Sequence, residues 1–165
     1  MASPATSTYL PTLEVPHEHE GVGQDLQATL HELLDPSLIG KQLHWAVVGP
    51  LFRPLHLHLD ELVESWRDLS DTVAERAVAL GFIPDGQAAA VAAGSQLAPV
   101  ARDSLEDHVV VRDLTHRVAE VSERVRTRMN RLGDADVASQ DVLIEVVREL
   151  EKQQWMLRAQ LGEHV

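Results

Sequence analysis

The sequence predicts an all-α chain: four long helices in one bundle, with a long crossover carrying a short helix between the second and third. Three observations lead there. Apolar residues recur at spacings of three, four and seven over four separate stretches, the signature of one buried stripe per helix. No run alternates apolar and polar residues as a half-buried strand would. The longest stretch without helical periodicity, residues 82–102, lies between the second and third helices, where a parallel pair needs a long connection.

At 165 residues the chain is long enough for one domain with a real core. Residues 1–21, rich in Ala, Ser, Thr and Pro, read as a flexible tail, and 22–162 as the bundle. In the tail, His17 and His19 with their neighbouring glutamates could capture a metal; a solvated linker is the plainer reading. The first helix is expected over 22–47, with Leu26, Leu30, Leu33 and Leu34 on one face and a kink at Pro36. A turn at 48–53 precedes the second helix, 54–81, whose stripe is Leu55, Leu59, Leu62, Trp66, Leu69, Val73 and Leu80. The crossover 82–102 holds a short Ala-rich helix near 86–93. The third helix, 103–132, is striped by Val110, Val111, Leu114, Val118, Val121, Val125 and Leu132. Gly133 is its expected C-cap, and the fourth helix, 138–161, starts from Asp136 or Ser139 as N-cap.

Composition bounds function. The net charge of −12 opposes nucleic acid and attracts cations. The absence of cysteine excludes disulfides, thiolate metal sites and cysteine nucleophiles. No run of eighteen apolar residues suggests a membrane span. No Lys or Arg precedes Lys41, so the start does not read as a signal peptide, and the expected location is the cytoplasm, with nucleoid association as a variant.

The chemistry concentrates on the second helix. Taking about 100° per residue and His56 as zero, Asp60 falls near 40°, Asp71 near 60° and Glu75 near 100°, opposite the apolar stripe at roughly 220–300°. Histidine and carboxylates with open positions suit iron or manganese better than structural zinc. One ion cannot use all four, because Asp60 and Asp71 are roughly 16 Å apart along the axis. His56/Asp60 and Asp71/Glu75 are two i,i+4 pairs, and a second copy of the helix packed antiparallel would bring one copy's first pair opposite the other's second. The expectation is a metal site shared across a two-fold interface, with His44 adding a ligand from the side.

The residues that suggest this site also resemble a family. His44-Trp45, Gly49-Pro50, Phe52, His56, Asp60, Asp71, Ala74-Glu75-Arg76 and Leu80-Gly81 are similar to the signature of the Dps proteins, the miniature ferritins, and LEKQQWMLRAQL (150–161) is similar to their last helix. The resemblance spans roughly 22–162. It implies a ferritin-like bundle, a hollow homo-oligomeric cage of twelve, and oxidation of Fe(II), with hydrogen peroxide favoured over O₂, at ferroxidase ligands His44, His56, Asp60, Asp71 and Glu75. Trp45 is then a candidate electron donor or an interface-packing residue. Glu61, Glu64 and Asp68 are candidates for an iron-nucleating inner surface or a solvated face. Asp134, Asp136 and Asp141 are candidates for an ion-entry pore, with capping as the competing role of Asp136. Iron is the one metal this implies. A single-bundle di-iron enzyme would need two Glu-x-x-His spacings, and Glu14–His17 is the one present. A nucleoid-binding structural protein is the other alternative. Its basic tail is missing, and Arg124, Arg126, Arg128 and Arg131 spread around the third helix.

Overall fold

The computed structural model of the chain describes residues 20–100 and 105–162. Five helices appear there in order: α1 (Glu20–Ala46), α2 (Phe52–Ala79), α3 (Ala88–Gly94), α4 (Asp107–Leu132) and α5 (Val137–Gln160). Helix α1 packs along α2 and α4 along α5; α1 also meets α3 and α4, and α2 meets α5, so the four long helices enclose one core. The six stripe residues from Leu55 to Val73 are all buried, as are the seven of α4. Leu80 packs at the edge of the core, partly covered.

Helix α1 starts at Glu20, two residues before the sequence expectation, and runs unbroken through Pro36. Proline has no N–H to give the Glu32 carbonyl one turn back. One residue on, the Ser37 hydroxyl donates to the Leu34 carbonyl at 2.7 Å. Gly40 lets the helices close up: a Cβ there would meet Val63 Cγ2 at 2.6 Å and Trp66 Cζ3 at 3.0 Å. The buried Trp66 indole in turn donates to Gln153 Oε1 at 2.7 Å, tying α2 to α5.

One expectation needs correction. The third long helix begins at Asp107, not 103; residues 101–104 lie outside the described part, and Leu105 and Glu106 are extended. Their backbone is used elsewhere, because Val48 N–H donates to the Leu105 carbonyl (3.0 Å) and Asp107 N–H to the Val48 carbonyl (2.8 Å) in an isolated parallel bridge. Gly133 occupies the C-cap of α4 as expected, in right-handed helical geometry (φ −55°, ψ −36°). A Cβ there would lie 2.8 Å from Gln140 Nε2, the movable end of a side chain that donates to the Met129 carbonyl.

Helix α3 is latched to α1. The Gln27 side-chain amide pairs with both the N–H and the carbonyl of Asp85, His31 Nε2 lies 2.8 Å from that same carbonyl, and Ser95 Oγ donates to Asp35. Among the described residues no helix is long and apolar enough to cross a membrane.

Candidate metal centre

The end of α1 and the start of α2 meet around two histidines. His44 sits in the last turn of α1 and is buried; His56 lies in the second turn of α2. Their rings stack with centroids 3.6 Å apart and planes 22° from parallel. Each Nδ1 is 2.9 Å from the other's backbone carbonyl. A carbonyl oxygen can only accept, so each Nδ1 carries a hydrogen and donates it. This reciprocal brace fixes the orientation of both rings, the role outer partners play around metal-binding histidines.

The turn between the helices is pinned from α4. Gly49 has φ +129°, and a Cβ on it would meet Asp107 Oδ2 at 2.5 Å. That buried carboxylate accepts from the Leu51 N–H (2.6 Å) and the His108 N–H (2.7 Å). Asp107 thereby helps to set where α2 begins and how far His56 lies from His44. Nothing in the sequence singles it out, since its partners are backbone groups 56 residues away and next door.

Asp60 completes the trio, with Oδ1 3.3 Å from His44 Nδ1. The same oxygen is 2.5 Å from Lys41 Nζ. The Lys41 hydrogen bond first, and then the charges of His44, Lys41 and His56, hold the Asp60 carboxyl below the usual aspartate range against a smaller desolvation effect. Lys41 is a site residue that sequence reading passed over. Its one signal is position: it is three residues before His44, one helical turn away on the same face. An incoming cation must compete with this ammonium for Asp60.

Asp71 and Glu75 lie farther along α2, both exposed, and neither forms a hydrogen bond or ion pair with the described residues. Among those residues no group of three or more His, Asp and Glu side chains converges on an ion position. One chain therefore brings His44, His56 and Asp60 together and leaves Asp71 and Glu75 apart from them. Trp45 is 70% exposed beside the trio.

The remaining candidates separate. Glu61, Glu64 and Asp68 line a groove of about 750 Å³ between α2 and α5. Asp141, Glu145 and Glu149 line it from α5, together with Arg148 and Lys152. Asp141 thus shares a groove with the nucleation candidates. Asp136 is the N-cap of α5, accepting from the Ala138 N–H, from Ser139 Oγ (2.6 Å) and from Arg76 (2.6 Å). Burial pushes its pKa up, but Ser139, Arg76 and the Ala138 amide outweigh that and hold it below the usual range. Its carboxylate is occupied by capping, the competing role. Asp134 is exposed in the turn, and His17 and His19 lie outside the described residues. His58 is half-buried against Gln160; burial lowers its pKa, partly offset by Glu61.

Four arginines of α4 are paired with acids of the same chain. Arg124 and Arg128 both pair with Glu32, Arg126 with Glu151 and Arg131 with Asp25.

A family model described as a ferritin-like domain matches residues 24–164. The chain is 39% identical over 138 residues to a DNA protection during starvation protein of Mycolicibacterium smegmatis, covering 82% of this chain and 74% of that one. It is 37% identical over 142 residues to a fine tangled pili major subunit of Haemophilus ducreyi, covering 85% and 74%. The crystal structure of Dps92 from Deinococcus radiodurans superposes with a TM-score of 0.84 at 33% identity over 87% of each chain. The structure of Dps from Microbacterium arborescens in the high iron form superposes with a TM-score of 0.83 at 30% identity, covering 90% of this chain and 97% of that one. With the bundle, the crossover helix and the signature residues in place, the chain belongs to the Dps family of ferritin-like proteins.

Proposed function

We propose that the chain is an iron-storing ferroxidase that assembles into a hollow twelve-subunit cage and oxidises Fe(II) at sites between two-fold-related subunits. Each site takes His44, His56 and Asp60 from one subunit and Asp71 and Glu75 from its partner. The observation that carries the reading is the half-site. Two imidazoles are braced through Nδ1, that of His44 beside Asp60, while the other two carboxylates, without a hydrogen bond or ion pair among the described residues, stand about 16 Å along the same helix face. The high iron form of the Microbacterium arborescens relative agrees with iron as the substrate.

Two imidazoles and three carboxylates give an oxygen-rich, mixed site that leaves positions open for water and oxidant. With hydrogen peroxide, each Fe(II) gives up one electron, two electrons break the O–O bond, and the Fe(III) formed hydrolyses with release of protons. The carboxylates offset the ferrous charge and favour the ferric product. The acid groove of α2 and α5 is the surface on which ferric oxide would collect, and Asp134 remains a candidate for the entry path. Protection of DNA, which the Mycolicibacterium smegmatis relative's name records, would then come from removing iron and peroxide. A grip on DNA is disfavoured by the −12 charge and the internally paired arginines of α4.

Complementation tests the shared site. His44→Ala and Asp71→Ala should each lose rapid Fe(II) oxidation, because every site contains one damaged half. Co-expressed, mixed dimers form one site with both lesions and one intact site, so activity returns without any wild-type chain. No recovery in cages shown to be mixed by mass spectrometry would refute the shared site.

A further inference from the structure

We infer that Arg67 of one subunit pairs with the partner's Glu64 at the two-fold axis, and that this reciprocal pair fixes the level at which two α2 helices cross. The inference rests on the shared-site reading above and adds residues that the site itself does not use.

The charge pattern of α2 poses the problem. From Asp60 to Glu75 the helix carries six carboxylates and one cation, Arg67. Two such helices laid antiparallel would set acid against acid along the whole seam. Like charges held at an interface cost heavily unless a cation intervenes. Arg67 is exposed and makes no hydrogen bond or ion pair among the described residues, unlike Arg124, Arg126, Arg128 and Arg131 of α4.

Its position fits the seam. On the wheel with His56 at zero, Arg67 falls near 20° and Glu64 near 80°, bracketing Asp60 and Asp71 at about 40° and 60°. Axially it sits near the middle of the helix. A crossing that levels His56 with the partner's Glu75, and Asp60 with the partner's Asp71, also levels Arg67 with the partner's Glu64. By symmetry the pair forms twice, the two copies only about 4.5 Å apart along the helices. Glu64 borders the acid groove on its seam side, so it can turn toward the partner while Glu61 and Asp68 stay in the groove. The arginine also shields the two Glu64 carboxylates from each other, and its long stem covers apolar surface at the crossing. A slip of one turn would put each guanidinium opposite the wrong residue and break both metal sites together.

The test is a charge swap read by assembly. Arg67→Glu and Glu64→Arg, each alone, should raise the protein concentration at which cages or dimers dissociate by about tenfold or more, measured by light scattering and native mass spectrometry at low salt. The double variant, Arg67→Glu with Glu64→Arg, should assemble like wild type. Both positions are exposed in the subunit, so far-UV circular dichroism should show the same helix content in all three. Single variants that assemble as tightly as wild type would overturn the inference, as would a double variant no better than the singles. Complementation of His44→Ala by Asp71→Ala is read as oxidation rate in assembled cages. Its failure would strike the shared site, whereas failure of the swap with complementation intact would strike Arg67–Glu64 alone.

Discussion

Replacing Glu32 by alanine should destabilise the bundle far more than any surface change, and the structure sets the size. Glu32 is 1% exposed on α1, and its carboxylate faces Arg124 and Arg128 of α4. Arg128 donates to Glu32 Oε2 at 2.6 Å and, among the described residues, has only the Thr29 hydroxyl, at 3.5 Å, as a further partner. Its side chain is 8% exposed, whereas that of Arg124 is 23% exposed and can swing toward water and Glu120. Alanine thus strands one buried cation. Removing one member of a buried ion pair costs about 3–5 kcal/mol. For a chain of this size that corresponds to a fall of about 6–20 °C in thermal midpoint. The measurement is calorimetry or circular dichroism at one fixed protein concentration, since assembly couples to the midpoint. Glu120→Ala, which touches only the exposed rim of the same network, is the control and should shift stability by less than about 0.5 kcal/mol. Methionine at both 32 and 128 should recover most of the loss, because a well-packed apolar pair can replace a buried ion pair. A Glu32→Ala midpoint within about 2 °C of wild type would refute the reasoning.

Three further outcomes are expected. Lys41→Met frees the Asp60 carboxylate, so Co(II), a spectroscopic stand-in for Fe(II), should bind more tightly by titration; unchanged or weaker binding would remove Lys41 from the site. Gln153→Leu leaves the buried Trp66 N–H without its acceptor and should cost about 1–3 kcal/mol in denaturant unfolding. Acid should destabilise the fold in a defined order. His58, Asp60 and Asp136 all have folded pKa values below their ordinary ones. Each therefore contributes stability that is full above its unfolded pKa and lost as pH falls through its folded pKa. The His58 contribution should fade below about pH 6.5 and those of Asp60 and Asp136 below about pH 4. His58→Gln should flatten the first phase in a pH series of unfolding midpoints and leave the second.

The long helices were legible because their stripes repeat at the helical period, and that period survives any detail of packing. The buried faces of α2 and α4 follow it residue by residue. What stayed hidden depends on groups far apart in the chain. Leu105 and Glu106 read as helix, yet their backbone pairs with Val48, and no local pattern announces a partner 57 or 58 residues away. Glu32 reads as a solvated acid of α1 until α4 arrives with two arginines. His31 has Asp35 one turn on, yet its partners are a glutamine and a backbone carbonyl. In the candidate site, the wheel puts His56, Asp60, Asp71 and Glu75 on one face without the structure. Lys41 and Asp107 escaped because one acts through charge on the candidate ligand Asp60 and the other through the backbone of a turn.

The surface around the half-site bears on how the site would be finished. Trp45, Val48, Leu51 and Phe52 are all exposed, by 44–70%, within eight residues that run from His44 to the start of α2. Phe52 also leans on the His56 ring, 5.1 Å between centroids. Single exposed apolar residues need no explanation, but four large ones lie together at the rim of the candidate ligand set, and such patches are characteristic of protein–protein contact surfaces. Helix α2 continues the same face with exposed Val78 beyond Glu75. If an antiparallel partner levels His56 with its own Glu75, then Phe52 meets the region of the partner's Val78 and Leu80. The apolar contact and the completion of the ligand set would then be one event. That coupling matters for the chemistry, because a carboxylate pair delivered together with a hydrophobic cover loses water as it gains the metal, and electrostatic attraction for Fe(II) rises as the local dielectric falls.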